Sequence, residues 1–574
     1  TLRLARICDN DHVTRSPYPS LCVNCKMFSL YSKMPKIVFN NIVFTGIVAL
    51  YFLLVLNLPL IEHMVDIYKK SNANGAEGVS AFFIVFGLFA VGVLLYSIFL
   101  ILFSWRYVLK PGLSFITLLG ALCTIGTLKY GVVFDQDMVR NFMQTNTAEA
   151  LSYLSFSSVL SFTLLGIIPA FIIITAPITY PQGLVRSNLI RMGAIVGTLA
   201  LAGTIVLAYY QQFTFLGRNN KSLNREINPT TVVYSTYRVV KQDYFTTPPE
   251  PVLLGEDAKI ITKRKEPMAM ILVLGETGRA ANYQYRGYDR QTNPYTSKLH
   301  MYGFNNVSSC GTATARSVPC MFSNLTRDTY KDELVINRDN VLDVLKKTGV
   351  DVTWIDNQGD CKGVCDRVNV VNIKPEKSPN CVDGRCYDSI LAEKVEPYLK
   401  DIKKDTVIAV HLMGSHGPRY YERYPKNFET FTPACNRADV ENCSTEEVIN
   451  AYDNTILYTD YVISKLYTAL EKAPTENKAL LYISDHGESL GENGVYLHGL
   501  PYAVAPEVQK QVPMQLYISE KAKKMLALNE KCLEKQSSAG KFSHDNLFHT
   551  LLGIFDVSTK DYDPSLDILR ACRA

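Results

Sequence analysis

The stretch Met270-Ile-Leu-Val-Leu-Gly-Glu276-Thr277-Gly-Arg279, read with Ser484-Asp485-His486-Gly487-Glu488, decides the fold of this chain. In each, a short apolar run breaks abruptly into a carboxylate or an imidazole. Runs of about four to six apolar or β-branched residues predict strands buried on both faces, as in a parallel α/β sheet. Ligands of such sheets bind beyond the carboxyl ends of the strands. Thr406-Val-Ile-Ala-Val-His-Leu-Met before Gly414-Ser415-His416-Gly417, and Val350-Asp-Val-Thr-Trp-Ile before Asp356-Asn357, repeat the pattern. Segments far apart in sequence thus bring polar groups to one rim, as in a metal-dependent catalytic face.

At 574 residues the chain is too long for one domain. Its apolar residues are unevenly spread. Ile37–Leu60, Val79–Trp105, Leu113–Phe134, Val159–Ile178 and Met192–Tyr210 are nearly free of charge. Each is close to the roughly 20 residues that cross a bilayer core, whereas buried core helices are rarely so long and apolar all round. They predict a five-helix transmembrane bundle. Arg3, Arg6, Arg15, Lys26, Lys33 and Lys36 precede the first span, and Arg106, Lys110, Arg186 and Arg191 fall in the second and fourth connections. The positive-inside rule then places the N-terminus in the cytoplasm and everything after Tyr210 outside. A net charge of +5, spread along the chain, argues against a nucleic-acid partner.

Four regions follow. Residues 1–33 begin with Thr, lack an apolar signal region and precede Met34, so they read as a disordered or spurious extension. Residues 34–211 form the five-span domain. Residues 212–265 form an interfacial helix and linker, with aromatic and basic residues before Pro248, Pro249 and Pro251. Residues 266–574 alternate strand and helix patterns, which predicts an α/β catalytic domain with a mainly parallel sheet and helices on both faces.

Ten of the fourteen cysteines lie beyond residue 300, mostly in close pairs: Cys310/Cys320, Cys361/Cys365, Cys381/Cys386 and Cys435/Cys443, with Cys532/Cys572 left by elimination. On the exported side they read as disulfides. A zinc ribbon from Cys361, Cys365, Cys381 and Cys386 is the rival reading, and export favours oxidation.

Glu276 with Asp485 and His486 offers oxygen and nitrogen ligands suited to zinc. Ser309-Cys310-Gly-Thr312-Ala-Thr314-Ala-Arg-Ser317-Val-Pro-Cys320-Met-Phe-Ser supplies hydroxyls at a helix start, where free N–H groups receive phosphate. Both Thr312 and Thr314 are candidate nucleophiles. His411, inside a predicted strand, reads as a satisfied core histidine, and Ser543 as a helix cap ahead of His544 and His549.

Gly275-Glu-Thr277, Cys310-Gly-Thr-Ala-Thr314, Cys320-Met-Phe-Ser323, Gly414-Ser-His416-Gly-Pro418 and Asp485-His-Gly-Glu-Ser-Leu-Gly-Glu-Asn493 resemble the lipid A phosphoethanolamine transferases, the colistin-resistance family. The similarity runs from about Met34 to the end. It implies an alkaline-phosphatase-like periplasmic domain behind five inner-membrane helices, in a monomer of the Gram-negative inner membrane. It also implies transfer of phosphoethanolamine from phosphatidylethanolamine to a lipid A phosphate through a phosphoethanolaminyl-threonine, which reduces outer-membrane negative charge and confers polymyxin resistance. By motif, Thr314 is the nucleophile, and Glu276, Thr314, Asp485 and His486 hold zinc. His416 and His498 match histidines that bind substrate or a second zinc. Asn141, Thr145 and Glu149, spaced by four as on one helix face, match donor head-group residues. Lys362 matches a substrate-site lysine, although the neighbouring Asn-Ser pair of the family is Gln358-Gly359 here. Rival readings are transfer to a core sugar, glycerophosphate transfer from phosphatidylglycerol, phosphate-ester hydrolysis, and a non-catalytic scaffold. The last requires a missing ligand, and none of Glu276, Thr314, Asp485 or His486 is missing.

Overall fold

The structure is a computed structural model that describes residues 38–73, 81–145, 150, 153–208, 223–245, 249–375, 378–382 and 384–573. Residues 1–33, Glu149 and parts of the 212–265 connector lie outside the described residues. The helices of the first half are α1 (Asn41–Tyr51), α2 (Leu58–Ala73), α3 (Ala81–Phe103), α4 (Leu109–Tyr130), α5 (Gln136–Gln144), α6 (Phe156–Thr175), α7 (Leu184–Ala208) and α8 (Thr230–Val240).

Three of these, α4, α6 and α7, are long and apolar enough to cross a membrane among the described residues. A fourth span exists if the bent pair Asn41–Leu56 and Leu58–Val65 counts as one. This corrects the five-helix bundle expected from hydropathy. The first apolar stretch is not one straight helix: a π-helical turn over Phe52–Leu56 leads to a 55° bend. Asn57, fully buried, fixes the break. Its amide donates to Phe52 O at 2.8 Å and to Asn228 O at 2.7 Å, and its oxygen accepts from Asn228 N at 2.7 Å. In the second stretch the apolar helix of described side chains runs from Gly87 to Phe103. Outward positions such as Phe171 and Leu189 are exposed and apolar, which suits a lipid surround.

The catalytic domain is built on a seven-stranded sheet. Its strands are β1 (Met268–Gly275), β2 (Tyr302–Phe304), β3 (Asp351–Asp356), β4 (Asn369–Asn372), β5 (Thr406–His411), β6 (Asn477–Ser484) and β7 (Met514–Ile518). The order is β2-β7-β6-β1-β5-β3-β4. Neighbours from β6 through β4 are parallel, whereas β7 runs antiparallel to both β6 and β2. The mainly parallel sheet expected from sequence is therefore a mixed one. Short apolar runs do not reveal strand direction, and β7 starts beside the carboxyl end of β6, with Met514 paired to Ile483.

Every residue of β1 is buried. Met268, Met270, Leu272 and Leu274 pack toward Leu342 and Leu345 of α10 (Val341–Lys347) and Phe548 of α13 (Leu547–Ile554). Ala269, Ile271 and Val273 pack toward Val395 of α11 (Ile390–Leu399) and Ile456 and Ile463 of α12 (Thr445–Glu471). The period of two thus serves two cores, one on each face. The strands stop where side chains turn polar. Glu276 follows β1 and Asp485-His486 follows β6, with Ser484 paired to Gly275.

The two halves meet at the end of α4. Lys129 lies 2.8 Å from Glu441 and donates to Ser157 at 3.0 Å. Lys129 thus joins the membrane helices to the catalytic domain.

Candidate metal centre and nucleophile

The nucleophile candidate Thr314 opens α9 (Thr314–Met321) behind an extended Ala313. Cys310–Cys320 ties the preceding loop to the far end of this helix. Ser317 Oγ donates to the Asp485 carbonyl, which pins α9 to the β6 end. His544 braces both elements: Nδ1 accepts from Cys310 N at 3.1 Å, and Nε2 donates to Ser484 O at 2.9 Å. Burial holds this imidazole down at about 3, so it stays neutral and keeps one donor and one acceptor. Sequence reading left His544 out, since its partners lie more than two hundred and about sixty residues away.

Glu276, Thr314, Asp485 and His486 are all buried. Thr314 Oγ1 lies 3.2 Å from each carboxylate oxygen of Glu276 and 3.2 Å from His486 Nε2. His486 Nδ1 is 2.9 Å from Gly487 O. Donation there fixes the proton on Nδ1 and leaves Nε2 bare. Burial, then the neighbouring His498, holds this imidazole at about 4, which favours the neutral ligating form. Asp485 Oδ1 accepts from Thr277 N at 3.0 Å and His486 N at 2.7 Å, while Oδ2 is buried without a hydrogen-bond partner. Burial raises the Asp485 carboxyl. Ligand atoms of Glu276, Asp485 and His486 lie within 4.8 Å of one another. An orphaned buried carboxylate oxygen, a bare imidazole nitrogen and a second carboxylate form a cluster able to chelate a cation. The donor set fits zinc.

The backbone around Glu276 is tightly fitted. Thr277 sits at φ 59°, a conformation few β-branched residues adopt, and Tyr452 donates to its carbonyl at 2.7 Å. Gly414 has φ 53°, and a Cβ there would lie 2.6 Å from Glu276 O. Only glycine permits that approach.

His416 and His498 stand beside the centre, with ring centroids 5.6 Å apart, and the His498 ring is 4.3 Å from His486. His498 Nδ1 is 2.9 Å from Glu488 Oε2, and Tyr420 donates to Glu488 Oε1 at 2.7 Å. Burial pushes Glu488 up to about 8. Sequence reading quoted Glu488 within its motif without a role; its place between Tyr420 and His498 needed the tertiary fold. His411 is not a satisfied core histidine. Nδ1 meets Asp356 at 3.1 Å, but Nε2 is buried without a hydrogen-bond partner, 3.9 Å from Glu276. Burial lowers this imidazole, but Asp356 and Glu276 outweigh it and raise it overall.

The substrate-side residues are spread more widely. Lys362, at φ 53° in the loop closed by Cys361–Cys365, lies 3.2 Å from Asp360. It lines a cavity of about 320 Å³ together with Arg140, Gln144, Ala315, Pro319 and Asp332. Asn141 lies on α5, which packs against α9. The helix ends at Gln144, and Thr145 is its extended C-cap, bonded back to Asn141 O at 2.9 Å. Asn141 and Thr145 therefore do not continue one helical face toward Glu149, which lies outside the described residues. The four-residue spacing suggested such a face, but the chain leaves the helix first. Cys361–Cys365, Cys381–Cys386, Cys435–Cys443 and Cys532–Cys572 are bonded. The near grouping of Cys361, Cys365 and Asp366 thus has both thiols committed to a disulfide and is no metal site.

A threonine at a helix start facing an acid–acid–histidine cluster on a mixed α/β sheet is the arrangement of transferases and hydrolases of phosphate or sulfate esters. Residues 269–557 match the sulfatase family, and residues 92–244 match the family described as phosphoethanolamine transferase EptA/EptB. Phosphoethanolamine transferase EptA of Escherichia coli K12 is 40% identical over 482 residues, covering 83% of this chain and 88% of that protein. Phosphatidylethanolamine transferase Mcr-1 of E. coli is 35% identical over 475 residues, covering 80% and 85%. The solved integral membrane lipooligosaccharide phosphoethanolamine transferase A of Neisseria meningitidis superposes with a TM-score of 0.86 at 32% identity, covering 94% of this chain and all of that one. The chain belongs to the EptA/Mcr family of phosphoethanolamine transferases, within the sulfatase and alkaline-phosphatase superfamily. It is an enzyme, a multi-pass inner-membrane protein with a periplasmic catalytic domain, acting on a phosphoethanolamine donor and a lipid acceptor.

Proposed function

We propose that the protein transfers phosphoethanolamine from phosphatidylethanolamine to a phosphate of lipid A, with Thr314 as the covalent carrier. The supporting observation is Thr314 Oγ1, at the start of α9, 3.2 Å from both Glu276 oxygens and from His486 Nε2, with all three residues buried. Glu276, Thr314, Asp485 and His486 would hold zinc, whose charge lowers the proton affinity of the threonine hydroxyl and offsets charge on the phosphoryl oxygens.

In the first half-reaction Thr314 Oγ attacks the donor phosphorus. The Oγ–P bond forms, the phosphorus–glycerol oxygen bond breaks, and the threonine proton ends on the diacylglycerol that leaves. Ala313 supplies no side-chain cap, so the leading N–H groups of α9, ahead of Arg316 whose N–H donates to Ala313 O, would receive a phosphoryl oxygen. His416 and His498, with Glu488 behind the latter, stand where a proton passes between protein and leaving or entering group. In the second half-reaction a lipid A phosphate oxygen attacks the phosphorus of phosphoethanolaminyl-Thr314. The P–Oγ bond breaks, and Thr314 recovers a proton from the acceptor. The donor head group binds beside Asn141, Thr145 and Glu149, and Lys362 meets the substrate phosphate. Each transfer adds an ammonium to lipid A, reducing the negative charge that attracts polymyxins.

Mass spectrometry of lipid A from cells with and without the gene tests this reading. A gain of one phosphoethanolamine on a phosphate supports it, and an addition on a core sugar, or of glycerophosphate, replaces it.

A further inference from the structure

Between the membrane helices and the nucleophile lies an ion cluster that the reaction itself does not use. Arg140, on α5 next to Asn141, donates to Asp332 through Nη1. Its Nη2 reaches Asp243 at 3.0 Å and Gln242 at 3.2 Å in the connector that follows α8. Asp332 also accepts from Arg316 Nη1 at 3.1 Å. Arg316 lies two residues after Thr314 on α9, donates to Tyr330 O at 3.2 Å and stacks over the Tyr330 ring at 4.3 Å. The side chains of Arg140, Asp332 and Arg316 are only 12%, 20% and 23% exposed. A shielded, multiply bonded guanidinium holds geometry far better than an exposed surface pair. One carboxylate thus joins α5, which carries Asn141 and leads to Thr145, to the helix that carries Thr314. The cavity lined by Lys362 opens beside the same contact.

We propose that Arg140 is a positioning residue for the donor lipid: through Asp332 it clamps α5 to α9 and so sets the reach from the bound head group to Thr314. The proposal rests on the donor reading above, because it requires the head group to sit along α5. Its consequence is selective. A donor anchored in a bilayer has its phosphorus placed by the protein's membrane side, so a loosened α5 misplaces it relative to Thr314. A small donor in water is free to approach Thr314 directly and does not depend on the clamp.

The test uses the full-length protein in vesicles of phosphatidylethanolamine and phosphatidylglycerol, and separately with a water-soluble aryl ester of phosphoethanolamine. Diacylglycerol release is measured in the first case and aryl alcohol release in the second. Arg140→Gln should lower kcat/KM for the vesicle donor by at least about tenfold, as expected for misplacement of a reacting group, and leave the soluble ester unchanged. Arg140→Lys, which keeps the charge, should recover part of the loss. Asp332→Asn should show the same split, and the double variant should be no worse than Arg140→Gln alone. Equal loss with both donors, or undiminished activity on vesicles, overturns the proposal. Peptide mass mapping of the wild type separates this outcome from a failure of the Thr314 reading: donor cleavage without mass on Thr314 removes the nucleophile assignment, while the two release rates still judge Arg140.

Discussion

His486 Nε2 lies 3.2 Å from Thr314 Oγ1, with its proton held on the opposite ring nitrogen by the Gly487 carbonyl. The imidazole therefore presents a lone pair, beside a carboxylate oxygen of Asp485 that has no other partner. Without a metal the carboxylates of Glu276 and Asp485 stay buried together, with His411 3.9 Å from Glu276. Chelation should stop transfer, and zinc should restore it better than magnesium, because an imidazole ligand suits the softer ion. Glu276→Gln and His486→Ala should each lower zinc content by elemental analysis. Full zinc content in both variants would place the metal elsewhere.

Gly414→Ala should damage the centre without touching a ligand. Its Cβ would lie 2.6 Å from Glu276 O, at a φ of 53° that an alanine adopts with strain. A loss of more than about 1 kcal/mol in stability is expected for an alanine at an incompatible φ, read by thermal melting, together with weaker zinc retention. A variant with wild-type melting and zinc content contradicts the fit described here.

Strand ends and the acid and imidazole side chains that cluster beyond them were legible in the sequence because a parallel strand buried on both faces leaves a nearly unbroken apolar run. The run ends where chemistry begins, so β1 pointed to Glu276 and β6 to Asp485 and His486. The direction of β7 and the bend at Asn57 were not legible. The bend depends on Asn228, 171 residues away, and hydropathy has no term for a hydrogen bond that breaks a span. His411 looked like a core residue for the same reason. Its Asp356 partner is its register neighbour on β3, and its other nitrogen faces Glu276 from the next strand.

Asn57→Ala should destabilise the membrane half. Asn228 would lose a donor and an acceptor, and the Phe52 carbonyl would lose a side-chain donor. An unsatisfied buried polar group costs about 1–3 kcal/mol, so the detergent-solubilised variant should melt earlier. Equal melting temperatures would mean that the bend is held by other contacts.

Reduction of the disulfides should impair catalysis more than membrane insertion. Cys310–Cys320 closes a short loop around Thr314, so its entropic effect on the unfolded chain is small and its main effect is local. Cys310→Ser with Cys320→Ser should insert normally and transfer slowly. Wild-type transfer rates in that double variant would show that Ser317 and His544 suffice to hold the helix start.

The covalent role of Thr314 is the centre of this account. Full-length protein incubated with phosphatidylethanolamine alone, digested and analysed by mass spectrometry, should carry one phosphoethanolamine on the Thr314 peptide. The added mass should disappear when lipid A is supplied, and Thr314→Ala should never acquire it. An unmodified Thr314 in protein that is actively transferring, or normal transfer by Thr314→Ala, contradicts the account.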